Sequence, residues 1–578
     1  MLPVVIVKFG SSVLASADEI PIAVDEIYRR LREGARVLAV VSAFAGETNR
    51  LLNRARGVLG DEAAPEAVAA FVATGEMQSA ALLVGALRGA GVAARLVDPR
   101  EINLRVAGPT LEADAVSVDT GALQALWETH TSLVLPGFFG IDAQDRIALL
   151  GRGGSDLSAL FIADACGGEC HLVKDVPGVF DRDPALDGSH ARRYAIIPWH
   201  EASVVAGHLI QPKALAYAEQ NRLPFTVSRA NGVLETRVAE VPRAVWGLHK
   251  ESGARLRVAL LGCGTVGGGV YERLRADPDR FEVVAVVTRH RERLLAMGIP
   301  ASIASDGLER ALAAEVDLVV ECMGGVEPAG AVIEEALLLG KYVVTANKAV
   351  IADYSVEFAA AMREPDRRLW FSAAAGGAVP MLETLCSLTD GVVELRGVIN
   401  GTSNCVLDVL ALGSSLEAAV RAAQVAGFAE SDPARDLSGA DAADKLSLLA
   451  QAAFGVRIHP SQIPTRGIDR SLVADKRHVW RLIARAVRAE DGVVLGVAPE
   501  KLVRGSFLAE TAGAENRLEI TLASDEVVLL AGQGAGRWPT TLAVLGDVYE
   551  IVRKVSTAAS SVLCSKAHVG RAPHQQIH

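Results

Sequence analysis

A chain of 578 residues is long enough for three or four domains. Half of it is apolar and 22% is charged, which suits core-forming domains, and a net charge of −11 argues against a nucleic-acid partner or an anionic membrane surface. Seven cysteines, no signal-like start and no apolar run near the roughly 20 residues of a membrane span point to a reducing, cytoplasmic setting.

The chain opens on an apolar strand, Val4 to Val7, and leaves it through Lys8-Phe-Gly-Ser-Ser12. A Lys and a Gly beyond a strand end can hold phosphate oxygens by charge and by backbone N–H groups, although a surface lysine beside a turn would look the same. A second strand, Val37 to Ser42, runs into a small-residue turn carrying Thr48. Ala73-Thr-Gly-Glu76 is expected to open a helix to about Leu87, with Glu76 serving either the helix dipole or a substrate ammonium group. Gly151-Arg-Gly-Gly-Ser-Asp156 then precedes a helix from Leu157 to Ala165. Glycine N–H groups at a helix start, the fork of Arg152 and the carboxylate of Asp156 form the mixture that phosphoryl transfer asks for. His171-Leu-Val-Lys-Asp175 ends a strand, and a turn-rich loop runs to Pro184. Cys166 and Cys170 lack a second pair and read as loop or core cysteines; no metal site is expected.

In order and spacing, these pieces over residues 3 to 230 resemble the catalytic domain of an aspartate kinase, in the amino-acid kinase family. The resemblance implies that ATP, carried with Mg2+, meets Lys8, Gly10, Ser11, Lys174 and Asp175. It implies that Thr48, Glu76, Arg152 and Ser155 hold aspartate, with Lys8 and Asp156 catalytic. The chain departs from the family at Ser11, where a loop Gly is usual, at Lys174, where Thr is usual, and at His208, where a nucleotide-contacting Lys is expected. Residues 227 to 255 read as a last strand edge plus linker, far too short for the regulatory domains that usually follow, so feedback inhibition through such a domain is not expected.

Val258-Ala-Leu-Leu-Gly-Cys-Gly-Thr-Val-Gly267 is a buried strand followed by glycines at the spacing of a dinucleotide turn. Further strands at Phe281–Val287, Asp317–Cys322 and Tyr342–Thr345 make a βαβ series. Gly262, Gly264, Thr265, Val266 and Gly267, with Met323 past the third strand, are the cofactor-binding candidates. The second strand ends in Thr288-Arg289-His290-Arg291 without an acid, so Arg289 or Arg291 suits a 2′-phosphate and NADP(H), unless this is only a solvated basic turn. Lys348 ends the Thr-Ala-Asn-Lys strand exit. Asn400-Gly-Thr-Ser-Asn404 is expected to lead into a helix near Asn404. In the polar run Glu430 to Lys445, Asp441 and Lys445 stand one helical turn apart, as a surface ion pair or as a proton-transfer group at the mouth of a buried helix.

Residues 256 to about 555 resemble homoserine dehydrogenase, with Gly532-Gln-Gly-Ala-Gly-Arg closing the motif series. The resemblance implies that Lys445 exchanges the proton on the substrate oxygen, that Lys348 polarises that oxygen and meets the nicotinamide, and that Glu430, Asp436 and Asp441 bind substrate. Gly534 would return to the cofactor. A monovalent cation would sit on the loop starting at Ser372, where the family often has Glu.

The expected fold is α/β: an amino-acid-kinase αβα sandwich (1–235), a linker (236–255), a Rossmann domain (256–380), an α+β catalytic and dimerisation domain with a mixed sheet (381–555) and a C-terminal tail (556–578), disordered from Gly570 to His578. The expected function is bifunctional: phosphorylation of aspartate, and NADPH-dependent reduction of aspartate semialdehyde to homoserine, by a homodimer or higher homo-oligomer. The alternative is a dehydrogenase carrying a weakened or aspartate-sensing kinase-like domain.

Overall fold

The computed structural model describes residues 2–569, apart from 61–63, 185, 187–189, 208, 248–254, 355–356, 359, 364, 427, 430–431 and 473–474. His208, Glu430 and the last nine residues of the expected tail lie outside the described residues.

The first half is built on a nine-stranded sheet. At its centre Val4–Phe9 lies between Arg36–Val41 and Glu169–Lys174, parallel to both. Strands covered on both faces must be apolar throughout, and in Val4–Phe9 the one polar residue is Lys8, near the carboxyl end. Lys8 pairs with Leu172, so Lys174, two residues on, leaves the sheet on the same side as Lys8. Helix Gly154–Cys166 packs on this strand and brings Asp156 in its first turn.

The sheet extends further than the sequence suggested. Glu235–Val238 is inserted between Tyr194–Ile197 and Phe225–Arg229, and Val245–Trp246 pairs at the edge, where Trp246 stacks on Tyr194 at 4.3 Å. Parts of the expected linker, residues 236–238 and 245–246, are therefore sheet of the first half, because each finds a strand to pair with. Glu76 is also not in a first helical turn. It sits in the middle of Pro65–Gly89, which starts at a proline suited to a first turn. That helix is long and apolar enough to cross a membrane by composition, yet over half of its apolar stretch is buried inside the fold.

The second half starts with a six-stranded parallel sheet in which Leu256–Leu261 is flanked by Phe281–Val287 and Leu318–Glu321. That is the reversal point of a doubly wound sheet, where a crevice opens at the strand ends. The catalytic-domain sheet has five antiparallel strands, ordered Gly492–Val503, His478–Ala489, Val392–Val398, Glu515–Leu522, Val527–Gln533, with a parallel bridge from Thr465 to Val497. Two helices depart from the expected bounds. Gly401–Leu410 begins as soon as Asn400 caps it, and the last helix runs Arg537–Val569, through the boundary drawn at 555.

The two halves are docked, not tethered. Helix Ile20–Arg32 lies against the last helix, Asp25 pairs with Arg273 of the dinucleotide-turn helix, and Gly91 accepts a hydrogen bond from Gln533 N at 2.7 Å.

Candidate functional site

Two clusters of charge stand at the strand ends, one in each half. In the first, Asp156 lies between two lysines: Lys8 Nζ is 2.6 Å from Oδ1 and Lys174 Nζ is 3.1 Å from Oδ2. All three side chains are buried. Burial would raise the carboxyl of Asp156, but the two ammonium groups outweigh it and hold the acid below its ordinary range. Lys174 is pushed down to about 8, by burial first and by Lys8 second. Gly10 belongs to the same corner: a Cβ there would come within 2.8 Å of Lys8 Nζ, so glycine lets the ammonium fold back over the loop. Ser155 is buried beside Asp156, whereas Ser11, Arg152 and Asp175 are exposed at the loop tips and are not drawn into the cluster.

Glu76 forms a separate corner. Its Oε1 accepts the N–H of Ala43 at 3.3 Å, while its Oε2 is buried without a partner. Burial raises its acid to about 7. A buried carboxylate oxygen without a partner can accept from a cationic group. Half-buried Thr48 sits in the first turn of Glu47–Leu59, on the loop that leads from Ala43.

In the second half the three glycines divide the work of the turn. Gly262 has φ +84°, and a Cβ on it would meet Cys322 O at 2.6 Å. A Cβ on Gly267 would collide with Gly262 O, so the helix Thr265–Arg275 can approach its own strand only because no side chain intervenes. A Cβ on Gly264 would meet nothing, and Gly264 and Thr265 are exposed, leaving the helix start open to a pyrophosphate; Val266 behind them is half-buried. Arg291 donates to the carbonyls of Ala304 and Ala301, while exposed Arg289 has no partner among the described residues. Across the crevice, buried Glu321 accepts the N–H of Met323 at 2.6 Å and the hydroxyl of Thr345, which in turn accepts Asn347 N.

The second cluster joins this domain to the next. Asp441 pairs through Oδ1 with Lys348 and through Oδ2 with Lys445 at 3.0 Å. Lys348 opens the helix Lys348–Asp353, whereas Asp441 and Lys445 lie on Ala440–Phe454. Lys445 also donates to Ile399 O at 2.8 Å. Asn400 Nδ2 reaches Asp436 at 2.7 Å and Asp441 at 2.8 Å. Both lysines are lowered to about 8: Lys445 by burial against the pull of Asp436 and Asp444, Lys348 by burial and then by Lys445. Gly534 donates its N–H to Ala514 O, a Cβ on it would collide with Asn516, and a Cβ on Gly377 would meet the Gly534 carbonyl at 2.6 Å. Asn400 and Glu321 are the residues that the sequence reading left without a role. A carboxylate ending the apolar run Leu318-Val-Val-Glu321 was a usable signal for the second.

Comparison with known proteins agrees with this division. The description "amino acid kinase family" matches residues 3–227, "homoserine dehydrogenase, NAD binding domain" residues 262–372, and "homoserine dehydrogenase" residues 379–549. A homoserine dehydrogenase of Synechocystis sp. is 33% identical over 323 residues, 52% of this chain and 75% of that protein. One from Lactococcus lactis is 32% identical over 319 residues, 52% of this chain and 74% of that protein. The crystal structure of a homoserine dehydrogenase from Thiobacillus denitrificans has 32% identity over 53% of this chain and 75% of that one, with a TM-score of 0.48. The chain belongs to the homoserine dehydrogenase family and carries a domain of the amino acid kinase family fused ahead of its NAD-binding domain.

Proposed function

We propose that the chain is a bifunctional enzyme that phosphorylates the side-chain carboxylate of L-aspartate with ATP and reduces L-aspartate 4-semialdehyde to L-homoserine with NADPH. The observation that carries the second activity is the carboxylate of Asp441 held between Lys348 and Lys445. When bound, NADPH supplies the hydride. Lys445, its ammonium set by Ile399 O and Asp441, gives the proton to the oxygen of the reacting carbonyl. Lys348, a third exposed, polarises that oxygen. Asp436, tied to the trio through Asn400, receives the substrate ammonium together with Glu430.

For the kinase half, ATP with Mg2+ supplies the phosphoryl group when bound. Lys8 and Lys174 neutralise charge on the moving group, and Asp156 holds the two amines in register. Glu76 takes the aspartate ammonium and Arg152 its free carboxylate. The weakened or sensing alternative draws on Ser11 and on Lys174, whose charge is already spent on Asp156. ATP-dependent aspartyl hydroxamate formation, run on the wild type and on Arg152→Ala, decides between them: wild-type activity that the variant loses supports the kinase, and none in either supports the sensor. NADPH oxidation with aspartate semialdehyde tests the dehydrogenase. We read the enzyme as a cytoplasmic homo-oligomer. The strand Val527–Gln533, at one edge of the sheet in the expected dimerisation domain, lies along the kinase half of its own chain, so light scattering on Val494→Glu at the opposite, exposed edge tests where copies meet.

A further inference from the structure

Helix Ile20–Arg32 belongs to the kinase half, yet its last residue is buried in the dehydrogenase half. Arg32 pairs with Glu383 at 2.6 Å, with Asp547 at 2.7 Å and with Glu550 at 2.8 Å. Its guanidinium carbons and nitrogens also press on Gly546, where a Cβ would come within 2.9 Å of Nη1. Asp547 is held from two sides: Oδ1 accepts from Arg32 and from the Ser372 hydroxyl at 2.6 Å, and Oδ2 accepts from Ser372 N at 3.0 Å. One turn back on the same helix, the Tyr28 hydroxyl reaches Gly377 O at 3.5 Å.

Ser372 and Gly377 bound the loop on which the family resemblance would place a monovalent cation. The residues present do not fit one. The position where an acceptor carboxylate would be expected holds a serine that acts as a donor. The carboxylates around it face a guanidinium, which supplies one fixed positive charge, donates through Nη2 to Asp547 and Glu550, and meets Glu383 through Nη1 as an ion pair without hydrogen-bond geometry. A sodium or potassium ion would need to displace Arg32 from a site it fills from inside the protein.

We propose that Arg32 takes the place of the monovalent cation in the dehydrogenase half, acting as a positioning residue supplied by the kinase domain. The loop it braces runs on to Ala378, whose N–H meets Gln533 O at 3.0 Å, and Gly377 packs against Gly534 on the cofactor side. The charge therefore fixes the strand exit that carries the cofactor-side glycine. It also explains why the two halves are docked here: the dehydrogenase is complete only with the kinase helix in place. Because Arg32 touches neither cofactor nor substrate, its loss acts through loop geometry.

The test uses the full chain and the NADPH-dependent reduction. The wild type is assayed at constant ionic strength in sodium, potassium and choline chloride, and the rates are expected to agree within about twofold. A saturable rise with sodium or potassium alone would overturn the proposal. Arg32→Ala is expected to lose on the order of tenfold or more in rate, with partial recovery on adding methylguanidinium, sodium or potassium. Arg32→Lys is expected to keep most of the rate. A fully active Arg32→Ala, or one that no cation restores while its hydroxamate-forming kinase activity shows it folded, would also overturn it. If Arg32→Ala does not fold, Arg32→Lys and the wild-type cation series still decide, since a wild type that needs the metal refutes the substitution outright.

Discussion

Each half of the molecule holds one carboxylate between two lysines, and the two trios are built differently. In the kinase half, Lys8 and Lys174 leave adjacent strands of one sheet and Asp156 heads the helix packed on them, so all three are fixed by one domain and sealed from water. In the dehydrogenase half, Lys348 comes from the nucleotide domain and Asp441 with Lys445 from the catalytic domain, and the Lys348 side chain is 36% exposed. A sealed trio from one sheet serves as a fixed electrostatic clamp. A trio that spans a crevice can release a proton to something lying in it. In the proposed mechanism the same residue types serve phosphoryl transfer in one place and proton transfer in the other, and the trios differ in backbone origin and in access to solvent.

The strongest way to break this comparison is to remove one lysine from each trio. Lys445→Ala should lower semialdehyde reduction by roughly 10²-fold or more while NADPH still binds, as checked by fluorescence titration. Lys8→Ala should lower hydroxamate formation by a similar factor, on the order of 10²-fold. Each should leave the other activity within about twofold. Near-normal turnover in Lys445→Ala would remove that lysine from the mechanism, and loss of both activities in either variant would mean the trios support folding more than chemistry.

The roles proposed for the two trios can be set against each other through pH. Lys445 is lowered to about 8, so its ammonium is present below that pH and lost above it. Reduction should therefore fall about tenfold per pH unit above 8, and homoserine oxidation, which needs the neutral amine, should rise up to about 8 and level off. A flat reduction rate to pH 10 would separate Lys445 from the proton. The kinase trio predicts no matching mirror image, since its lysines act as charges in one direction.

Much of this arrangement was legible from sequence because it depends on short-range rules. Strand, glycine turn and helix at 258–267 follow from residue spacing, and so does the one-turn separation of Asp441 and Lys445. What was not legible depends on chain segments far apart. The Glu76 helix starts eleven residues earlier than Glu76 because Pro65 opens it, and its apolar length is used for packing. Residues 236–246 read as linker because pairing partners such as Tyr194–Ile197 cannot be seen locally. Arg32, in an amphipathic helix rich in arginine, carries no local mark that separates it from Arg29 and Arg30, yet it alone of the three reaches the carboxylates across the domain boundary.

Glu76 offers a smaller test within the kinase half. Its acid is raised to about 7 by burial, so at lower pH it is neutral and offers a substrate ammonium little attraction. The sign follows from linkage: a folded-state value above the unfolded one stabilises the fold below the unfolded range and loses that contribution as pH rises through about 7. Aspartate, by pairing with the ionised form, should restore it. The KM for aspartate should rise several-fold from pH 8 to pH 6, on the order of one pH unit of protonation. The thermal shift produced by aspartate should be larger at pH 8. Glu76→Gln should abolish both trends, and persistence of either in that variant would place the titrating group elsewhere.

The smallest expected effect concerns cofactor choice, where the two cations of one turn can be set against each other. Arg291 is committed to the carbonyls of Ala304 and Ala301 and so shapes the turn, whereas Arg289 is exposed and has no partner among the described residues. A 2′-phosphate arriving at the end of Phe281–Val287 would gain a charge-assisted contact from Arg289 alone. That contact is solvent-screened, so its loss should be modest: Arg289→Ala should reduce the NADPH-over-NADH preference in kcat/KM by about tenfold, less at high salt, with the NADH value itself unchanged. Arg291→Ala should instead weaken both cofactors together, because the backbone it holds carries either one. If Arg289→Ala left the preference intact, or if the wild type showed none, the basic turn would be a solvated surface feature, and the cofactor would be chosen by the crevice rather than by the residues at its rim.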